Sequence, residues 1–191
     1  MSISQSIAKL VLCKIMGWKA FSKLDKVPEK CVFCVAPHTS NWDFWIGKLG
    51  YAALGGVSPN FMIKKEWFRF PFNLFFGSIG GIPVDRQGKH SMTEAIIEEV
   101  GKHDHFQLAI TPEGTRSANP VWKRGFYFIS KGANIPLIIA ALDFGKKEVY
   151  LDHIFTPTDD AEADIKAIKK WYVDNNIQGK YPNRFKVGDI D

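Results

Sequence analysis

The run Cys31-Val-Phe-Cys-Val-Ala36 carries no polar side chain and is stopped by Pro37. A strand that is apolar on both of its faces has to be covered on both, so this run predicts a buried strand feeding a loop. Phe106-Gln-Leu-Ala-Ile-Thr111, halted by Pro112, alternates as a second strand. Ile135 to Leu142 is a third apolar strand, and Glu148 to Ile154 alternates more weakly. Helices fall between them. Asn41 or Asp43 can cap an apolar stretch from Phe44 to Leu54 despite Gly47 and Gly50. Ser91 and Glu94 form a capping box ahead of Met92, Ala95, Ile96 and Val100. Asp159 opens a last helix with Ala161, Ile165, Ile168 and Tyr172 on one face. Strands alternating with helices predict an α/β fold with a mixed, largely parallel sheet flanked by helices. At 191 residues, 46% of them hydrophobic, the chain suits one core and one domain.

Ahead of that domain (26–191), residues 1–25 are expected to form a separate amphipathic helix. Ile3, Ile7, Leu10, Val11, Trp18 and Phe21 recur at helical spacing over residues 3–23, with Lys9, Lys19 and Lys23 elsewhere on the wheel and Lys14 interrupting the stripe. Such a helix suits a membrane interface, with Lys14 reaching the headgroups, and equally suits packing on its own domain. Lys14 also breaks any secretory signal, and no small-residue cleavage site follows. No stretch approaches the roughly 18 to 20 apolar residues of a membrane-spanning helix, so a peripheral association is expected. Between Phe61 and Phe76, Trp67, Phe68, Phe70, Phe72, Phe75 and Phe76 surround Lys64, Lys65 and Arg69. Most of these rings are expected in the core, with a subset lining a groove for an apolar chain or meeting lipid.

Lys and Arg number 25 against 20 Asp and Glu, a formal charge of +5 that mildly favours anionic partners. The basic residues are scattered, the longest lysine runs are pairs such as Lys64-Lys65 and Lys169-Lys170, and no recognition-module signature occurs, which argues against nucleic acid. A phosphorylated substrate or an anionic membrane fits the charge. The odd count of three cysteines argues against a disulfide framework and for a reducing compartment. Cys31 and Cys34 match a C-x-x-C pattern, but no second pair or nearby histidine cluster completes a metal site, so none is expected. His103 and His105, flanking Asp104, read as exposed turn residues.

Three polar blocks follow strand-like segments. In Pro37-His38-Thr39-Ser40-Asn41-Trp42-Asp43, His38 and Asp43 would lie about 140° apart within a regular helix and could not meet. They meet only if His38 precedes the helix and Asp43 sits in its first turn. The carboxylate then fixes the tautomer of the imidazole, whose other nitrogen can take a proton. The spacing alone is weak, because an Asp that caps a helix needs no catalytic role. Gly80-Gly81-Ile82-Pro83-Val84-Asp85-Arg86 ends in a guanidinium suited to a phosphate or, more simply, to Asp85. In Thr111-Pro112-Glu113-Gly114-Thr115-Arg116-Ser117, Gly114 permits close backbone approach, Arg116 can share an anion with Arg86, and Glu113 can accept from a hydroxyl; a polar surface turn is the plain alternative.

In their order the blocks resemble the lysophospholipid and 1-acylglycerol-3-phosphate acyltransferase family, with its H-x-x-x-x-D block, G-x-I-x-x-D-R-like block, E-G-T-R and a final apolar block containing proline. Here these are His38 to Asp43, Gly81 to Arg86, Glu113 to Arg116, and Ile135-Pro-Leu-Ile-Ile-Ala140, so the resemblance spans roughly residues 30 to 142. It implies an O-acyltransferase of phospholipid biosynthesis, peripheral on the cytoplasmic side of a membrane. Acyl-CoA or acyl-carrier-protein is the implied donor, a lysophospholipid the acceptor, and no further cofactor is needed. It makes His38 the general base and Asp43 its orienting partner. Thr39, Ser40, Arg86, Glu113, Gly114, Thr115 and Arg116 become the substrate-binding set. Two rivals stand beside it. One is a hydrolase using Ser40 or Cys34, although neither sits in a G-x-S-x-G elbow. The other is a lipid-binding protein without turnover.

Overall fold

A computed structural model describes residues 2–57, 59–64, 66, 68–70, 72–78, 80–84 and 91–190. In chain order its elements are α1 (Ile3–Lys9, continued by a π-helical turn Leu10–Ile15), β1 (Lys19–Ser22), β2 (Lys30–Ala36), α2 (Trp42–Ala53), β3 (Phe61–Lys64), α3 (Phe72–Ser78), β4 (Gly81–Val84), α4 (Met92–Gly101), β5 (Phe106–Ile110), α5 (Gly125–Ala133), β6 (Leu137–Asp143), β7 (Glu148–Phe155) and α6 (Ala161–Asp174). The apolar run at Cys31 is interior: β2 lies between β5 and β6 and is parallel to both. β6 and β7 pair antiparallel and β1 joins the outer edge of β7 in parallel, for a five-stranded order β1-β7-β6-β2-β5. The sheet is therefore mixed and mostly parallel. β3 and β4 form a parallel pair of their own. Asn60 hooks that pair to the free edge of β5, donating to the Gln107 carbonyl and accepting from Ala109 N–H.

Helices cover both faces. Val32, Cys34 and Ala36 pack in one cluster with Ile96 of α4, Phe126 and Ile129 of α5, and Ile165, Ile168 and Tyr172 of α6. Cys31 and Phe33 cluster with Tyr51 of α2 on the other side. Side chains alternate across a strand, so Cys31 and Cys34 belong to opposite layers and cannot share a metal. The buried Tyr172 hydroxyl lies 2.8 Å from the Cys34 carbonyl and 2.9 Å from that of Ala140, which ties α6 to the junction of β2 and β6. No helix among the described residues is long and apolar enough to cross a membrane.

The N-terminal segment departs from the expected 3–23 helix. Gly17 takes φ +72°, a conformation that favours glycine, and the chain from Lys19 pairs with β7. A ladder along a sheet edge outweighs helical periodicity over so few residues. Trp18 is consequently no interfacial anchor; it is buried edge-to-face against Phe144 at 4.9 Å. The expected boundary near residue 25 separates no independent body, because β1 belongs to the main sheet. Ala8 and Leu12 are buried in a cluster with Ile46 and Ala53 of α2, while Ile3, Ile7, Leu10 and Ile15 face outward. The helix thus packs on its own domain along one stripe and keeps a second apolar stripe exposed.

The ring-rich stretch is a further correction. The expectation of core packing fails for Phe70, 81% exposed, and for Phe72 and Phe75, which also stand at the surface. No residue of α3 is buried. Trp67 lies outside the described residues.

Candidate active site

Pro37 breaks β2, and the chain turns through Thr39 and Ser40 into α2. Asn41 precedes that helix without a side-chain cap bond, so Asp43 falls in the first turn. The His38 and Asp43 side chains meet there: Nδ1 of His38 lies 3.1 Å from Oδ2 of Asp43. The same oxygen accepts the backbone N–H groups of Thr39 at 2.7 Å and Ser40 at 2.8 Å, and Oδ1 accepts the Ser40 hydroxyl at 2.7 Å. Asp43 is 2% exposed. Burial on its own would raise its pKa, but the hydrogen bonds from His38 and Ser40 prevail and hold it below the ordinary value. An ionised carboxylate only accepts, so Nδ1 of His38 carries the hydrogen and Nε2 is the nitrogen left to take a proton.

The loop's other polar groups are engaged within the protein. Thr39 is buried and its Oγ1 accepts Tyr181 N–H at 3.2 Å. The Ser40 hydroxyl, besides donating to Asp43, accepts Trp42 N–H at 3.2 Å. Both hydroxyls, expected on substrate, are buried and turned to protein partners, and Ser40 is not placed as a nucleophile. Cys34 is fully buried and its thiol pKa is pushed up, mainly by burial, so it offers no thiolate. Both nucleophiles of the hydrolase reading are thereby removed. The N–H groups of Thr39, Ser40 and Trp42 are committed too, so an oxyanion near the start of α2 would meet its positive dipole end rather than those three donors.

Glu113 follows β5 and is 3% exposed. Its Oε1 accepts the backbone N–H of His38 at 2.8 Å, and Oε2 is buried without a partner. Burial raises its pKa to about 7, a rise that the His38 N–H bond opposes. The expectation that Glu113 takes an incoming hydroxyl gives way to a side chain locked behind the His38 loop. Gly114 has φ +64°, and a Cβ there would stand 3.1 Å from the Lys123 side chain. Thr115 and Arg116 are exposed, and Thr115 Oγ1 accepts Ser117 N–H at 3.3 Å. Arg86 lies outside the described residues, so its convergence with Arg116 is not part of this geometry.

His38, Asp43 and Gly114 open onto a cavity of about 380 Å³ between α2 and the sheet. Its walls are mainly apolar: Phe44 from α2 and Leu54 just after it, Phe61 and Met62 from β3, and Leu142, Val149 and Leu151 from β6 and β7. Gly47 and Gly50 of α2 line it. A Cβ on Gly47 would only touch Leu142 at 3.9 Å, whereas one on Gly50 would lie 2.3 Å from Val149, so there the helix rests directly on β7. The sequence showed both glycines only as blemishes in a helix, and no local signal marked them as cavity walls. No group of three His, Cys, Asp or Glu among the described residues is placed to hold a metal ion.

The comparisons with known proteins agree with this arrangement. No curated protein sequence matches the chain. The crystal structure of the 1-acyl-sn-glycerophosphate (LPA) acyltransferase PlsC from Thermotoga maritima superposes with a TM-score of 0.58 at 14% identity, covering 93% of this chain and 80% of that one, which shows a shared fold. A family model described as Acyltransferase matches residues 20–142, well over half of the chain and inclusive of the His38 loop, the cavity's helix and the Glu113 turn. This chain therefore belongs to the acyltransferase family.

Proposed function

We propose that the enzyme moves a fatty acyl group from acyl-CoA or acyl-carrier-protein to the hydroxyl of a lysophospholipid, 1-acylglycerol 3-phosphate above all, in phospholipid biosynthesis. The observation that carries this reading is an oriented His38–Asp43 pair at the mouth of an apolar cavity. Nε2 of His38 takes the proton of the acceptor hydroxyl as its oxygen attacks the thioester carbonyl. The tetrahedral oxyanion collapses, the C–S bond breaks, and the thiol leaves with the proton from the imidazolium. No acyl-enzyme forms, in keeping with the engaged Ser40 hydroxyl and the buried Cys34 thiol. The cavity holds the acyl chain. Thr39, Ser40 and Glu113 keep the loop in shape, Arg86 and Arg116 take the acceptor phosphate, and Gly114 and Thr115 belong to the acceptor pocket. The outward stripe of α1 and the surface rings of α3 suit a peripheral position on a membrane, on its cytoplasmic side.

A screen of radiolabelled acyl-CoA and acyl-carrier-protein against lyso-acceptors tests this. Acylated acceptor is expected from wild type. Gly47→Leu, which projects a side chain into the cavity while improving helix propensity, should shift preference toward shorter donors. Fatty acid release without acylated acceptor would instead make the enzyme a hydrolase.

A further inference from the structure

The segment after α6 returns to the catalytic loop. Phe144 N–H donates to the Gln178 carbonyl at 2.8 Å, and Gly179 lies so close to the loop that a Cβ there would stand 2.6 Å from Thr39 Cγ2 and 3.2 Å from Pro37 Cβ. Tyr181 N–H then donates to Thr39 Oγ1. This contact brings two cations to the rim of the site. Lys180 Nζ sits 5.1 Å from the ring centre of Trp42, the first residue of α2, and 5.9 Å from that of Tyr181; the Arg184 guanidinium lies 4.6 Å from the Tyr181 ring centre. One Arg184 N–H reaches toward the Thr39 carbonyl at 3.5 Å. No carboxylate among the described residues pairs with either side chain, unlike Lys131, Lys146 and Lys170, which each meet an aspartate. Lys180, Tyr181 and Arg184 lie beyond the stretch matched by the family model.

We propose that Lys180 and Arg184 form an anion subsite that takes a phosphate carried by one of the two substrates, the identity of those substrates resting on the acyl-transfer reading. Aromatic faces support both cations without satisfying their N–H donors, which leaves those not turned to the Thr39 carbonyl for an incoming anion. The close approach at Gly179 and the Tyr181–Thr39 bond place them against the loop that carries His38, at Thr39 and Trp42, so a phosphate held there is held beside that loop. Guanidinium and ammonium together match an exposed phosphate better than a neutral headgroup.

Equilibrium titration of two soluble probes, coenzyme A and a short-chain 1-acylglycerol 3-phosphate, tests the subsite in full-length protein. The comparison is among wild type, Lys180→Gln, Arg184→Gln and the double variant, after their unfolding midpoints are measured. One probe should bind the double variant roughly ten- to a hundred-fold more weakly. Its phosphate-free counterpart, pantetheine or the 1-acylglycerol, should bind all forms alike. The probe that weakens identifies the substrate whose phosphate is held. Unchanged affinity for both probes overturns the proposal, as does equal loss for phosphorylated and phosphate-free forms, or no binding of either probe to wild type. Weaker sedimentation with phosphatidylglycerol vesicles at unchanged probe affinity also overturns it, in favour of bilayer contact. Should Arg184→Gln unfold, Lys180→Gln, whose described contacts are two rings, decides alone. Wild type that binds a probe at these residues yet transfers no acyl group refutes the acyl-transfer reading and leaves the subsite standing.

Discussion

Between Pro37 and Asp43 the chain buries polar atoms and pairs them; between Phe70 and Phe75 it carries rings and leaves them at the surface. The difference follows from what each region meets. A buried donor without a partner costs about 1–3 kcal/mol, so a loop that hides Thr39, Ser40 and Asp43 is stable in few arrangements, and the one adopted aims His38 before any substrate arrives. Exposed rings cost free energy only while water is their neighbour. A helix with no buried residue gains little from the domain under it and has apolar area free for a lipid phase. Glu113 breaks the pattern, since its Oε2 is buried yet unpaired in the region where pairing is otherwise complete.

The largest effect is expected where pairing is densest. Asp43→Asn sets an amide against the N–H groups of Thr39 and Ser40 and disturbs the His38 tautomer, so transfer should fall on the order of 10³- to 10⁴-fold and stability by about 1–3 kcal/mol. His38→Ala should lose comparable activity and leave the unfolding midpoint nearly unchanged. Two variants with equal midpoints and near-normal turnover would show that the paired loop is not the working part. Urea unfolding and steady-state assays together give the answer.

Glu113 sharpens the comparison through pH. Its carboxyl has a pKa of about 7 in the folded protein against an ordinary 4.5, so the folded state keeps a proton that the unfolded chain has released across that interval. The stability contributed by that proton is complete below about pH 4.5 and is lost as pH rises through 7, by about 3 kcal/mol. Glu113→Gln does not titrate. Its stability measured at pH 5 and pH 8 should differ by less than that of wild type, and identical slopes would mean that the carboxyl is not held neutral.

The smallest effect belongs to the rings. Phe72→Ser with Phe75→Ser should change unfolding free energy by no more than about 0.5 kcal/mol per site and weaken vesicle sedimentation roughly ten-fold. A clear drop in the unfolding midpoint with unchanged sedimentation would return these rings to the core and dissolve the contrast between the two regions.

What the sequence determined by itself was local. Periodicity marked β2, α2, α4, β5, β6, β7 and α6, and the angular step of a helix showed that His38 and Asp43 could meet only with His38 ahead of α2 and Asp43 in its first turn. Such signals act over a few residues, within reach of one turn or one strand. The tertiary structure decided everything that depends on distant partners. β1 is a strand because β7 supplies its edge from 129 positions away, against a helical pattern that continued through Phe21. Thr39 is occupied because Tyr181, 142 positions on, donates to it, and Glu113 turns to the His38 backbone because β5 lies beside β2. Phe70 and Phe72 read as core by composition yet lie outside, since burial belongs to the assembled sheet and its covering helices rather than to the residue. Gly47 and Gly50 likewise become part of a cavity wall only once α2 has settled on the sheet.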